Sequence, residues 1–281
     1  MKTVLDILKL STTYLEEKGI EKPRREVEEL LSFVLKLKRI DLYVQFDRPL
    51  EEEELTLLRE LIKRKAKGEP FQYITGEVEF YRTRISLTPA VLIPRQETEI
   101  LVSKIVESLP NEPLAIWDVC TGSGCIGISL KNARPEWSLT LSDISIEALA
   151  VAKKNAEINS VEVSFVQGDL LSPFQGKKAD VIICNPPYIT EDEFTHLDAG
   201  VRNFEPKLAL VGGSTGLEFY KRLASDLPHF LMPGGKVFFE LGTGMGEQVK
   251  ALFSEDVWAR KEVTQDWSGH DRFFFAQILL K

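Results

Sequence analysis

The sequence predicts an α/β protein. An open, mostly parallel sheet covered by helices on both faces follows a small all-helical domain, and a β-hairpin joins the two. Three observations lead there. Residues 1–75 carry helical periodicity, and residues 68–95 set aromatic and β-branched residues around polar breaks, as a hairpin does. From about residue 96 short apolar runs alternate with helical segments to the end of the chain. Strand–helix alternation marks a parallel sheet, because each parallel strand needs a crossover to reach the next.

Taken in order, "TVLDILKLSTTYLEEKG" is an amphipathic helix stopped by Gly19, a residue suited to a helix C-terminus. "PRREVEELLSFVLKL" opens on Pro23 and sets Val27, Leu30, Leu31, Val34 and Leu35 on one face. "EEEELTLLRELIKRKAKG" begins with acids and ends with bases, which suits the helix macrodipole at both ends. The basic run Lys63–Lys67 is read through that dipole rather than as a nucleic-acid patch. Then come strands over 114–120, 138–143, 161–169, 179–184, 235–242 and 272–280. Helices are expected over 125–133, 145–159, 215–231 and 246–253. The domain boundaries expected are 1–75, 76–95 for the hairpin linker, and 96–281.

Charge and composition narrow the function. The 281 residues carry a net charge of -8, which argues against broad binding to phosphate backbones. No apolar run reaches the length of a membrane span, and the acidic, amphipathic start is not a signal peptide. A cytoplasmic protein without membrane association is expected. Cys120, Cys125 and Cys184 form no CxxC, and with His196, His229 and His270 they show no zinc-ligand spacing. They read as small apolar residues in a reducing compartment, and no metal is expected.

The first strand runs into "DVCTGSGCIG". Its glycines let the backbone approach a ligand, and the helix that follows offers free N–H groups. Gly122, Gly124 and Gly127 spell G-x-G-x-x-G, and Asp143 lies 19 residues beyond Gly124, at the end of the second strand. Alone this fits a nicotinamide dinucleotide. Two features favour S-adenosylmethionine. Asp118, Asp143 and Asp169 end three successive strands, and the fourth strand exits through Asn185-Pro186-Pro187-Tyr188, which has no role in hydride transfer. Neither proline can donate to a ladder, so the chain leaves the sheet there in a rigid, extended form. An amide or exocyclic amine nitrogen is a poor nucleophile, because its lone pair is delocalised. The Asn185 side-chain oxygen and the Pro186 carbonyl would accept its two N–H groups, and the Tyr188 ring would provide a flat surface for a planar group.

"NPPY" segments of this kind occur in methyltransferases that act on adenine N6, cytosine N4, guanine N2 or glutamine N5. Over residues 70–281 the order of "IPRQETE", "DVCTGSGCIGISL", "NPPYI", "VRNFEPKLALVGGSTGLEFY", "FFELG" and "GHDRFFFA" resembles the peptide chain release factor glutamine methyltransferases. That resemblance implies a Rossmann-like, seven-stranded methyltransferase sheet, its remaining strand within 257–267. It also implies methyl transfer from S-adenosylmethionine to N5 of the glutamine in the Gly-Gly-Gln motif of class 1 release factors, giving S-adenosylhomocysteine. Cys120, Thr121, Gly122, Ser123 and Gly124 would line the cofactor. Asp143 and Ile144 would meet its ribose, and Asp169 and Leu170 its adenine, with Asn185 close to both substrates. Asn185, Pro186, Pro187 and Tyr188 would hold the glutamine amide. The N-terminal helices would dock the release factor, and the enzyme is expected to be a monomer. The family usually has Gly where this chain has Cys120, whose Cβ would crowd the turn if φ there were positive.

Two other readings compete: the same pocket acting on a nucleic-acid base, and a non-enzymatic release factor-binding module with a vestigial pocket. Arg95, Glu97 and Glu99 read either as an ion-pair network behind the hairpin or as a wall of the pocket. Glu205 and Glu240 read as stabilisers of local structure and are not placed in the site.

Overall fold

A computed structural model describes residues 2–280, so the first residue of the expected 1–75 domain and the last of the expected 96–281 domain lie outside it. The chain divides into two compact units, Met1–Gly76 with Asp198–Phe204, and Glu77–Leu197 with Glu205–Lys281.

The first unit is helical: α1 Val4–Glu17, α2 Pro23–Leu35, α3 Arg39–Val44, α4 Glu52–Lys65 and α5 Phe71–Thr75. Thr3 and Asp6 cap α1 reciprocally, each side chain taking the other's backbone N–H. At its far end the Gly19 N–H bonds Glu16 O and the Ile20 N–H bonds Leu15 O, with Gly19 at φ +73°, a Schellman stop. Val27, Leu30, Leu31 and Leu35 of the expected α2 face are buried, and Val34 packs against them. In the basic run of α4, Lys65 pairs with Glu26 at 2.9 Å. Arg64 pairs with Glu69 and donates to the carbonyls of Tyr73 and Ile74. Both are spent on the fold of this unit.

The second unit begins with the hairpin β1 Glu77–Phe80 and β2 Thr83–Ser86. It continues α6 Gln96–Ser108, β3 Ala115–Val119, α7 Cys125–Ala133, β4 Ser138–Asp143, α8 Ile146–Ile158, β5 Ser164–Gln167 and β6 Ala179–Cys184. Short elements follow: β7 Ile189–Thr190, α9 Glu191–His196, α10 Ala199–Phe204 (which groups with the first unit), α11 Lys207–Leu210 and β8 Val211–Gly213. The chain ends α12 Glu218–Phe230, β9 Leu231–Glu240, α13 Gly246–Ala251, β10 Trp258–Gln265 and β11 Asp271–Ile278.

Seven strands form one sheet in the order β10-β11-β9-β6-β3-β4-β5. β9, β6, β3, β4 and β5 are parallel, and β11 runs antiparallel between β9 and β10. This is the Rossmann-like methyltransferase sheet expected, and the strand sought in 257–267 is β10. Central β3 and β6 are apolar almost throughout because both faces are covered. One core is aromatic: Trp117 stacks on Phe174 at 4.0 Å, and Phe253 lies between Phe239, Phe274 and Trp258. Among the described residues no helix is long and apolar enough to cross a membrane.

The hairpin is fastened to α8 by two carboxamides. Asn155 accepts the Ser86 N–H at 2.7 Å and donates to Ser86 O at 3.0 Å. Asn159 does the same with Arg84, at 3.2 and 2.8 Å. Asn155 also donates to Ser123 O at 2.9 Å, so one buried side chain joins hairpin, helix and glycine-rich turn.

Candidate active site

The carboxyl ends of β3, β4, β5 and β6 open on a cavity of about 430 Å³, large enough for a nucleoside-sized ligand. The strand order turns at β3, between β4 and β6, and that switch point is where open α/β sheets bind ligands.

The turn after β3 is built from buried polar contacts. Asp118 is fully buried, and its Oδ2 accepts the Thr121 hydroxyl at 2.6 Å and the Gly127 N–H at 3.0 Å. Its Oδ1 has no partner among the described residues. Burial pushes this carboxyl up to about 7, against the pull of those two donors. Asp143 closes the turn from β4: Oδ2 accepts the Gly122 N–H at 2.9 Å and Oδ1 the Ser145 N–H at 3.0 Å. Burial raises its pKa as well, and the backbone donors oppose the rise. The glycines do different jobs. A Cβ on Gly122 would meet nothing within 4 Å, so the turn faces open space there. A Cβ on Gly127 would strike Leu141 at 2.6 Å, so α7 sits directly on β4.

Cys120 adopts φ +58°. The left-handed region that the sequence raised as a condition is therefore occupied by a residue with a Cβ, at a cost of roughly 1–2 kcal/mol. Its side chain packs against the core and also lines the cavity.

The expected site residues separate by position. Cys120, Thr121, Gly122, Ser123, Asp143, Ile144, Asp169, Leu170, Asn185 and Pro187 line the cavity; Gly124, Pro186 and Tyr188 do not. Gly124 caps α7 at φ +81° behind the wall. Pro186 is buried, and the Tyr188 ring lies over Gly242, where a Cβ would meet it at 3.0 Å. Asp169 is bound to Arg222 at 2.6 Å, both half-exposed at the rim. The strap β7–β8 lies beside the exit from β6. A Cβ on Gly212 would run into Pro187 O and come within 2.8 Å of Tyr188 Cα, so only a glycine lets the two segments lie together.

Other walls were not read from the sequence. Ala90, Val91, Leu92, Pro94 and Thr98 form one side, Pro206, Leu208 and Ala209 another, and Phe219 and Arg222 a third, Arg222 being paired with Asp169. Arg95 joins two of them. It lines the cavity and pairs with buried Glu205 at 2.5 Å, while the second Glu205 oxygen accepts the Ile93 N–H at 3.1 Å. Glu99 accepts the Tyr81 N–H of the hairpin at 3.1 Å. Arg95 thus both carries an ion pair and lines the cavity, while Glu99 holds the hairpin through a backbone N–H. Asn155 had a legible signal: it is a polar residue on the same helix face as Ala148, Leu149, Ala152 and Ala156.

Two family models match the chain: the PrmC N-terminal domain over residues 6–76 and the methyltransferase small domain over residues 96–204. The release factor glutamine methyltransferase of Geobacter sulfurreducens is 41% identical over 98% of this chain and 97% of its own length. That of Chlamydia trachomatis serovar L2 is 42% identical over 96% and 93%, and that of Bacillus anthracis 39% over 98% and 99%. Among solved structures, a methyltransferase from Pyrococcus furiosus matches with a TM-score of 0.53 at 16% identity, covering 79% of this chain and 98% of that one. A T. thermophilus 16S rRNA N2 methyltransferase, solved with AdoMet and guanosine, matches with a TM-score of 0.50 at 12% identity over 72% and 49%. These two share the fold.

Proposed function

The chain belongs to the release factor glutamine methyltransferase family, and from that premise we propose the full reaction. The methyl group of S-adenosylmethionine passes to N5 of the glutamine in the Gly-Gly-Gln motif of class 1 release factors. N5-methylglutamine, S-adenosylhomocysteine and one proton, released from the amide nitrogen, are the products. The observation that carries the proposal is that one cavity is lined both by the turn anchored on Asp143 and by Asn185 and Pro187.

The residues present suit the cofactor. The open space over Gly122, the acceptor-only carboxylate of Asp143 beside it and the apolar Leu170 and Phe219 beyond match an amino acid, a ribose and an adenine in that order. When bound, S-adenosylmethionine supplies an electrophilic methyl on a sulfonium. Thr121–Gly124 would hold its amino-acid part, Asp143 and Ile144 its ribose, and Asp169 and Leu170 its adenine.

The acceptor side does its work by position. The Asn185 oxygen and the Pro186 carbonyl each accept one N–H of the glutamine amide, which turns the nitrogen lone pair out of conjugation and toward the methyl. Pro186 and Pro187 give the segment few other conformations to visit, and Gly212 lets β8 brace it from behind. Preorganised acceptors of this kind contribute a large share of the catalysis in reactions where charge shifts onto the nucleophile. The helical unit is the proposed docking surface for the release factor.

The test is to incubate the enzyme with labelled cofactor and, separately, a release factor and total nucleic acid. Label on the release factor, with mass spectrometry placing one added methylene on the Gly-Gly-Gln glutamine, is the expected result. Label on nucleic acid alone would overturn the proposal in favour of a base substrate.

A further inference from the structure

The reaction as derived leaves a buried carboxyl at its edge without a task. Glu240, the last residue of β9, is 2% exposed. Its Oε2 accepts the Thr98 hydroxyl at 2.6 Å, and Asn185 is the neighbour on the acceptor side that lowers its pKa. The strand register explains the meeting. β6 and β9 are parallel neighbours with Cys184 opposite Phe239, so the next residues along, Asn185 and Glu240, stand side by side at the sheet edge of the cavity. The backbone there is pinned, since Glu240 O accepts the buried Tyr220 hydroxyl at 2.7 Å.

A carboxamide has two orientations half a turn apart, and only one presents its oxygen to a substrate N–H. A carboxylate accepts and cannot donate, so a carboxylate beside Asn185 takes the NH₂ and leaves the oxygen for the substrate. We propose that Glu240 is a positioning residue, which sets the Asn185 amide with its oxygen toward the substrate nitrogen. The inference rests on the amide-methylation reading of the site. It also predicts a switch: a protonated Glu240 can donate to the Asn185 oxygen and stabilise the reversed, unproductive amide.

Every element around Glu240 contributes to where the switch falls. The carboxyl stands at about 7, lifted chiefly by burial and in part by Glu97 of α6. Thr98 of α6, Arg272 of β11 and Asn185 pull it down. Tyr188, Tyr220 of α12 and Cys125 of α7 also face it, all held neutral by burial. The carboxylate form prevails above the raised value, so transfer falls as the pH drops through it.

The experiment is single-turnover transfer to a release factor at saturating cofactor, from about pH 5 to about pH 9. The wild type is expected to show an acid limb with its midpoint near 7. Glu240→Gln neither titrates nor enforces one amide orientation. It is expected to slow transfer about tenfold and to erase the limb. Calorimetric cofactor affinity should hold. Thr98→Val removes a donor that holds the carboxyl down, so its limb should move to higher pH. A Glu240→Gln enzyme with the wild-type rate, or one slowed but keeping the wild-type limb, overturns the proposal. Failure of the underlying function looks different: the wild type itself would leave the glutamine unmodified. In that event nuclear magnetic resonance of the enzyme alone still decides the matter. The Asn185 side-chain NH₂ signals should shift with a midpoint near 7 in the wild type and stay fixed in Glu240→Gln; a shift kept in the variant counts against Glu240.

Discussion

Replacing Asp118 by Asn should flatten the dependence of stability on pH. The carboxyl is fully buried, and burial lifts it from 3.8 to about 7. Below its unfolded value the group is neutral in both states, and the stability it contributes is fully present. As the pH rises, the unfolded chain releases its proton first, so stability falls by about 1.4 kcal/mol per unit until the folded value is passed. From about pH 5 to about pH 7 the wild type therefore loses roughly 2.3 kcal/mol that the variant keeps. The geometry makes the substitution conservative. Both donors, Thr121 and Gly127, use the same oxygen, Oδ2, which the Asn oxygen replaces. The NH₂ then takes the place of the partnerless Oδ1. A buried NH₂ without an acceptor costs about 1–3 kcal/mol, but at every pH alike. The contribution of Glu240, similar in sign, is common to both proteins and cancels. The assay is urea unfolding followed by tryptophan fluorescence. It reports the sheet unit alone, because Trp117, Trp137, Trp258 and Trp267 all lie there. Wild-type and variant stabilities that run parallel over this range would refute the reasoning.

Three further outcomes follow from the site. Asn185→Ala should slow single-turnover transfer by ~10²-fold or more while cofactor affinity holds; a near wild-type rate removes Asn185 from the mechanism. Asp143→Ala takes away the acceptor of the Gly122 and Ser145 N–H groups. Calorimetry should show cofactor affinity weakened about tenfold or more, the worth of a single charge-assisted bond or somewhat above, and unchanged affinity places the ribose elsewhere. Gly212→Ala drives a methyl into the Pro187–Tyr188 backbone. It should cut the transfer rate far more than cofactor affinity, and an equal loss in both would mean that the strap supports the whole cavity rather than the acceptor end.

The large features were legible because they rest on local pattern. The β3 turn is announced by its glycines, and β6 ends where Pro186 and Pro187 forbid a ladder. The region between Tyr188 and Leu217 gave no such signal. β7 has two residues and β8 three, too short for periodicity, and they pair only because Gly212 admits the Pro187 backbone. Glu205 and Glu240 carry no local mark of their roles. One clamps Ile93 and Arg95 from more than a hundred positions away, and the other meets Asn185 through the register of β6 and β9. The conditional cost of Cys120 is realised because its φ is +58°.

The pairing of Asn155 and Asn159 with Ser86 and Arg84 bears on how the molecule can be cut. Along β2 these two side chains satisfy backbone groups as an adjoining strand would. Behind them Phe80, Ile85 and Leu87 are withdrawn from solvent. A fragment trimmed to start at Gln96 would strip those partners away, wet an apolar seam, and loosen the amide that holds Ser123. A piece that starts at Glu77 keeps the whole hairpin and with it those partners.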